Sequence, residues 1–226
     1  MGINTSNYLD ADPASSGDIN SENFAFEERM VPLHLAGLER ALQVGCMNGT
    51  RVVSFSEAAP GVPIDGLEIN ETFVNIARNN VRAAGLASRS RIILGDILSP
   101  PPELQQASYD LVYATNNTLG YLDPAAALAS MCTLSRGNVL VSLFSDERFT
   151  DEIARNYFAQ MKMDINNMSI QGNQFVFDDG SNGLTIVRRF NRDEVLDWGG
   201  ELTDTPLGFY ALFPATSHIT EKRAVK

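Results

Sequence analysis

Four places in this sequence set chemistry-bearing residues at the end of a short apolar run. In "LQVGCMNGT", residues 42–50, the run breaks into a loop bounded by Gly45 and Gly49, with Cys46 and Met47 between them. Glu68 closes "VPIDGLE", Asp96 follows "RIILG" with Ile97 behind it, and Asn116 and Asn117 follow "YDLVYA". Glycines let a backbone approach a ligand closely and adopt positive φ. The amides that open the helical stretch 50–58 favour an anionic group such as a carboxylate. Glu68 stands about 20 residues beyond the glycine loop, where an acid at a strand end accepts hydrogen bonds from a ribose diol. Asp96 suits the exocyclic amino group of a purine, and Asn116 offers an amide oxygen to an ammonium. His34, in the segment leading into the first run, is a candidate general base. His218 follows the last apolar run and reads as structural.

Alternating elements must bring these sites together. Strand-like runs at 40–45, 62–68, 90–95, 109–114 and 137–144 are separated by helical stretches at 50–58, 71–84, 101–106 and 124–134. Strands apolar on both faces, alternating with helices, predict an α/β parallel sheet covered on both sides. In such sheets ligands bind beyond the carboxyl ends of the strands, where strand order reverses. The four sites therefore belong on one rim. The last third differs: residues 147–162 read as a helix and 166–190 as an antiparallel hairpin of two alternating runs around "DDGSNG". "NRDEVLDW" reads as a helix capped by Asn191, and "GFYALFPA" as a final strand. Residues 1–30 read as an arm or lid, polar over its first 22 residues, followed by a short helix that breaks near Pro32. Residues 31–226 then form one domain with the hairpin inserted at about 166–190.

The order and spacing of "LQVGCMNG", "IDGLEIN", "IILGDIL" and "YDLVYATNNTLGYL" resemble the class I S-adenosylmethionine-dependent methyltransferases, over roughly residues 38–145. The resemblance implies a Rossmann-like, doubly wound, mostly parallel seven-stranded sheet with an antiparallel last strand and an inserted β-hairpin. By the same resemblance Gly45, Cys46 and Gly49 would contact the methionine part of the cofactor, Glu68 its ribose and Asp96 its adenine. Met47, Ile97 and Asn116 complete the expected cofactor contacts. Asn117 and Tyr121 would face the acceptor and orient an amine's lone pair, which leans the reading towards N-methylation of a small molecule. In-line displacement needs near-attack geometry and exclusion of water rather than a triad or a metal, and no metal site is expected.

Two departures stand out: the family's loop acid is Gln43 here, and its middle glycine is Met47. Gln43 brings no charge to balance a sulfonium or ammonium. Three other readings stay open: O-methylation, a non-catalytic cofactor-binding scaffold, and a nicotinamide-dependent oxidoreductase. The last would need glycine at Met47 and Thr50.

Composition narrows the partners. At 226 residues and 44% hydrophobic content, the chain supports one substantial globular domain. A net charge of −11 argues against nucleic acid, which needs clustered Lys and Arg. It leaves only a local basic pocket at Arg188 and Arg189, of which strand alternation lets one at most face a site. No apolar run reaches the length of a membrane span, and the polar N-terminus does not read as a signal peptide. The two cysteines form neither a metal pair nor a disulfide framework. The expectation is a cytoplasmic protein acting on a small-molecule acceptor, with no membrane or nucleic-acid partner and a homodimer left open.

Overall fold

The computed structural model describes residues 18–105, 108–178 and 184–216. In chain order the elements are α1 (Asp18–Leu35), β1 (Ala41–Val44), α2 (Thr50–Ala58), β2 (Ile64–Glu68), α3 (Glu71–Ala83) and β3 (Ile92–Leu94). Then come α4 (Pro102–Gln105), β4 (Tyr109–Ala114), a 3-10 turn (Thr118–Tyr121), α5 (Pro124–Leu134), β5 (Ser135–Phe144) and α6 (Asp151–Gln160). The chain continues through β6 (Met168–Gln171), β7 (Gln174–Asp178), β8 (Leu184–Arg188), α7 (Arg192–Asp197), β9 (Glu201–Asp204) and β10 (Gly208–Pro214). Seven strands form the main sheet in the order β3-β2-β1-β4-β5-β10-β9, while β6-β7-β8 form a separate antiparallel sheet. β10 runs antiparallel to both its neighbours, and the other four strand pairings of this sheet are parallel. The Rossmann-like arrangement expected from the sequence is the one observed.

The sheet is buried on both faces because its strands alternate between two helical layers. Leu42 and Val44 of β1 and Val112 of β4 pack with Leu128 and Met131 of α5. Ala41, Leu111 and Tyr113 pack on the other side with Val52 and Phe55 of α2 and with Val74 and Val81 of α3. α3 illustrates how local sequence builds this layer. The Asn70 side chain accepts from the Phe73 amide at 3.1 Å and caps the helix, which then buries Phe73, Val74, Ala77 and Val81 along one stripe. Each of the larger side chains contributes about 1.5–3 kcal/mol by leaving water.

The structure corrects several boundaries. α1 does not break near Pro32 but runs through it to Leu35. Pro32 falls in the last turn, where a missing N–H costs at most one helical bond, and Val31 and Leu35 are fully buried beneath it. The helix also crosses residue 30, so the described part of the expected arm is built into the fold. Residues 1–17 of that arm, residues 179–183 of the "DDGSNG" turn and His218 lie outside the described residues. The expected two-stranded hairpin is a three-stranded sheet, because a tight turn with Gly172 at φ +61° splits the first run into β6 and β7. β9 had no counterpart in the sequence reading: it is an edge strand of four mostly exposed residues, without the apolar run that marks the others. Asp110 of β4 accepts from the Glu39 and Arg40 amides entering β1, tying the start of the one strand to the start of the other.

Candidate functional site

Strand order reverses between β1 and β4, whose registers place Val44 opposite Ala114, and Val44 also pairs with Leu67 of β2. The loops leaving these strands therefore start level with one another, and they open into one cleft. Gly45, Cys46, Met47, Glu68, Asp96, Ile97, Asn116 and Tyr121 all line it. Gly49 sits behind the loop and does not line it.

The glycine loop is shaped by contacts on both sides. The Gly45 and Cys46 amides donate to the Leu67 carbonyl at 2.9 and 3.1 Å. Gly45 has φ +68°, and a Cβ there would lie 2.6 Å from the Thr118 methyl. Gly49 has φ +77°, and a Cβ there would come within 2.8 Å of the Ala77 Cβ, so glycine lets α3 pack under the start of α2. Met47, at the middle position, takes φ +47° without being glycine, a conformation that costs an ordinary residue about 1–2 kcal/mol. Its amide donates to Glu68 Oε2 at 2.9 Å, while Glu68 Oε1 accepts from the Asn70 amide at 2.9 Å. The acid at the end of β2 thus holds the loop in the shape that a glycine would adopt unaided. Burial raises the Glu68 carboxyl, with the Asn70 and Met47 amides pulling the other way. The Cys46 thiol is raised by burial and by nearby Glu68, so it stays a neutral packing group against Gly66 and is no nucleophile.

The end of β4 is the other conformationally demanding place. Asn116 and Asn117 are consecutive residues in the left-handed region, at φ +50° and +58°. The Asn116 amide donates to Glu27 Oε1 at 2.8 Å, and its Nδ2 donates to the Tyr157 hydroxyl at 3.0 Å. Asn117 turns away from the cleft, which corrects the expectation that it faces the acceptor. It is fully buried; its Nδ2 donates to the Arg188 carbonyl at 2.9 Å and its Oδ1 accepts from the Phe144 amide at 3.0 Å. Every direction in which it can bond points into the protein, so it fastens β5 to β8.

His34 is likewise corrected. It lies half-buried in the last turn of α1 and does not line the cleft, and burial lowers its pKa. Neither Arg188 nor Arg189 forms a basic pocket there: Arg188 pairs with Glu194 and Arg189 with Asp151. Sequence reasoning missed Phe24 of α1, Arg51 of α2, and Tyr157 and Met161 at α6, all of which line the cleft. Arg51 was within reach, being the residue after Thr50 at the start of the loop's helix. The others carry no signal in the sequence, because helices distant along the chain bring them in. The strands β6–β8 back α6 and do not line the cleft themselves.

The residues suit a nucleoside bearing an amino-acid end. At the Gln43 end, Gln43 Oε1 and Asn116 Oδ1 are buried and have no hydrogen-bond partner among the described residues. Buried carbonyl oxygens of this kind need donors, which an ammonium supplies. Asp96 and Ile97 lie beyond Glu68 at the opposite end, with Asp96 Oδ1 accepting from the Leu98 amide at 2.8 Å. Tyr121, Leu122, Tyr157 and Met161 form a wall of aromatic and apolar groups. No histidine among the described residues lines the cleft, and these residues contain no cluster of three metal-ligating side chains. No described helix is long and apolar enough to cross a membrane.

Residues 41–137 match the family model described as a methyltransferase domain. Over 93 residues the chain is 39% identical to 24-methylenesterol C-methyltransferase 2 of Oryza sativa subsp. japonica, covering 41% of this chain and 25% of that one. Over 106 residues it is 29% identical to catechol O-methyltransferase of Mycobacterium tuberculosis, covering 45% and 46%. The chain thus spans a quarter and just under half of these two curated relatives. Among solved structures, an amino pentose methyltransferase from Micromonospora echinaspora with SAM bound superposes with a TM-score of 0.61 at 15% identity, covering 96% of this chain and 99% of that one. That likeness is one of fold.

Proposed function

Proceeding from a methyltransferase domain over residues 41–137, we propose that this protein is an S-adenosylmethionine-dependent methyltransferase acting on a small, largely apolar acceptor. The observation that supports it is the convergence of four strand-end sites on one cleft: the 45–49 loop, Glu68, Asp96 and Asn116. When bound, the cofactor supplies an electrophilic methyl group for in-line displacement. The chain's own residues do the rest. Gly45 and Cys46 let the backbone approach the methionine part, with the Met47 backbone held in place by Glu68. Glu68 keeps an oxygen lone pair for a ribose hydroxyl beside the two amides it already serves. Asp96 and Ile97 flank the base, and Gln43 and Asn116 present acceptors to the ammonium.

Tyr121, Tyr157, Leu122 and Met161 exclude water from the acceptor and hold it by contact. That wall carries no carboxylate or imidazole among the described residues, which favours a nucleophile needing no strong base, such as a neutral amine. O-methylation is the second reading, favoured by the catechol O-methyltransferase relative. Calorimetry with S-adenosylmethionine, its demethylated product and NAD tests the cofactor: saturable micromolar binding of the first two is expected, and preference for NAD overturns the reading. Turnover of labelled methyl donor across matched panels of small amines and phenols then separates nitrogen from oxygen acceptors. Cofactor binding without transfer to either panel favours a scaffold.

A further inference from the structure

Glu27 is fully buried in α1 and does not line the cleft, yet it touches two residues that do. Its Oε1 accepts from the Asn116 amide at 2.8 Å, and its Oε2 lies 3.7 Å from Arg51 Nη2. Oε2 has no hydrogen-bond donor among the described residues. A glutamine would accept the same Asn116 bond without a charge, and burying a carboxylate with one oxygen short of a donor is costly. The charge, beyond the bond, therefore calls for an explanation.

The cleft provides one. Where related loops carry an acid, this chain has neutral Gln43, and the charged side chain lining this end among the described residues is the cationic Arg51. Arg51 is held by Glu28 at 3.0 Å and stacks over Phe24 with its guanidinium carbon 4.5 Å from the ring centroid. S-adenosylmethionine carries a sulfonium and an ammonium against one carboxylate, and so arrives with a net positive charge. The carboxylate nearest the loop is Glu68, which already serves the Met47 amide, so Gln43 leaves its own end without an acid.

We propose that Glu27 is a positioning residue that restores from α1 the negative charge missing at Gln43: it aims Asn116 and Arg51 at the cleft and balances the net positive charge that the sulfonium gives the cofactor. This rests on the cofactor reading above. It also gives α1 a task in recognition that no loop motif reveals.

The test is calorimetry on the full chain with three ligands: S-adenosylmethionine, its neutral demethylated product, and 5′-methylthioadenosine, which lacks the amino-acid end. In Glu27→Gln, S-adenosylmethionine is expected to bind about tenfold more weakly, the demethylated product less than about threefold, and methylthioadenosine unchanged, as loss of one nearby charge requires. Adding Gln43→Glu to that variant is expected to recover most of the lost affinity. Equal weakening of all three ligands makes Glu27 merely structural, and unaltered S-adenosylmethionine affinity also overturns the proposal. A wild-type chain that binds methylthioadenosine but neither full-length ligand overturns it while sparing the nucleoside site. Binding of none of the three brings down the cofactor reading with it.

Thermal unfolding of the ligand-free protein gives an independent readout. Arg51 of α2, Glu28 of α1, Ser142 of β5, Tyr210 of β10 and the Asn116 amide face Glu27, and burial outweighs them to raise its carboxyl. Between the unfolded and the raised folded value the folded state holds a proton that the unfolded chain has released, so stability falls as pH rises across that window; the balancing charge is present above it, or once a bound cation draws the proton off. Glu27→Gln is expected to remove that fall and to raise the unfolding midpoint at neutral pH while weakening cofactor binding. A lowered midpoint with uniform loss of binding is the structural outcome. Glu27→Asp, which keeps the charge, is expected to keep the preference for S-adenosylmethionine over its product even if the Gln variant does not fold.

Discussion

The two walls of the cleft are built by different means. One consists of strand ends and the turns leaving them: Gly45, Met47 and Glu68 are fixed by short backbone bonds within a few residues of the sheet. The other consists of side chains delivered by helices: Phe24 from α1, Tyr157 from α6 and Met161 from its C-terminal cap, and Tyr121 from the 3-10 turn. The first wall tolerates little change because backbone shape is its working part. The second wall is a packing surface, and a packing surface accepts substitution when volume is kept. Recognition of a common cofactor suits the first, and choice of acceptor suits the second.

Substitutions can break this contrast or sharpen it. The largest loss is expected at Gly49→Val, where positive φ combines with a Cβ 2.8 Å from that of Ala77. A cost of about 3 kcal/mol or more is expected, read as a lowered urea midpoint. Next comes Asn117→Ala, which leaves the Arg188 carbonyl and the Phe144 amide without their partner. About 2–3 kcal/mol of stability should go, with methyl-transfer rates per folded molecule unchanged; a rate defect in a fully stable variant would return Asn117 to the acceptor site.

Glu68→Gln should weaken binding of the demethylated cofactor about tenfold, since one of its carboxylate oxygens becomes a donor facing donors. The same residue sets a pH dependence. Its carboxyl is raised by burial, and the ribose hydroxyls require the ionised form. Affinity should therefore fall as pH drops towards the carboxylate range, and it should be flat in Glu68→Gln. The smallest effect is expected at Tyr121→Phe on the helical wall: affinity for the demethylated cofactor within about twofold, and turnover lowered a few-fold through acceptor geometry. A Tyr121 variant that loses the cofactor as completely as a Glu68 variant would erase the distinction between the walls.

The same division explains what the sequence disclosed. The strand-end wall was legible because each of its residues follows an apolar run at a fixed step, so Gly45, Glu68, Asp96 and Asn116 could be placed on one rim from spacing. The helical wall was not. Nothing local distinguishes Glu27 from Glu28, yet one is fully buried and the other exposed; only the rotation of α1 against the sheet decides it. Asn117 was misplaced because the left-handed conformation of two successive residues reverses where the second one points. β9 escaped because an exposed edge strand needs no apolar signature. Met47 departs from glycine in the loop, and only the fold brings up the Glu68 carboxylate that holds its amide.

The Asn117 side chain joins the end of β5 to the last residue of β8, and Gly120 has no room for a Cβ because that side chain and the Arg188 carbonyl occupy the space. The small sheet is therefore not an independently exchangeable module. A chimera that imported another sheet for residues 168–188 would inherit an asparagine with no matching carbonyl, whereas one that carried residues 117–120 along with it would bring the clasp and its seat together. The small sheet should consequently be inherited, and best recombined, together with residues 117–120, a pair of segments far apart in the chain.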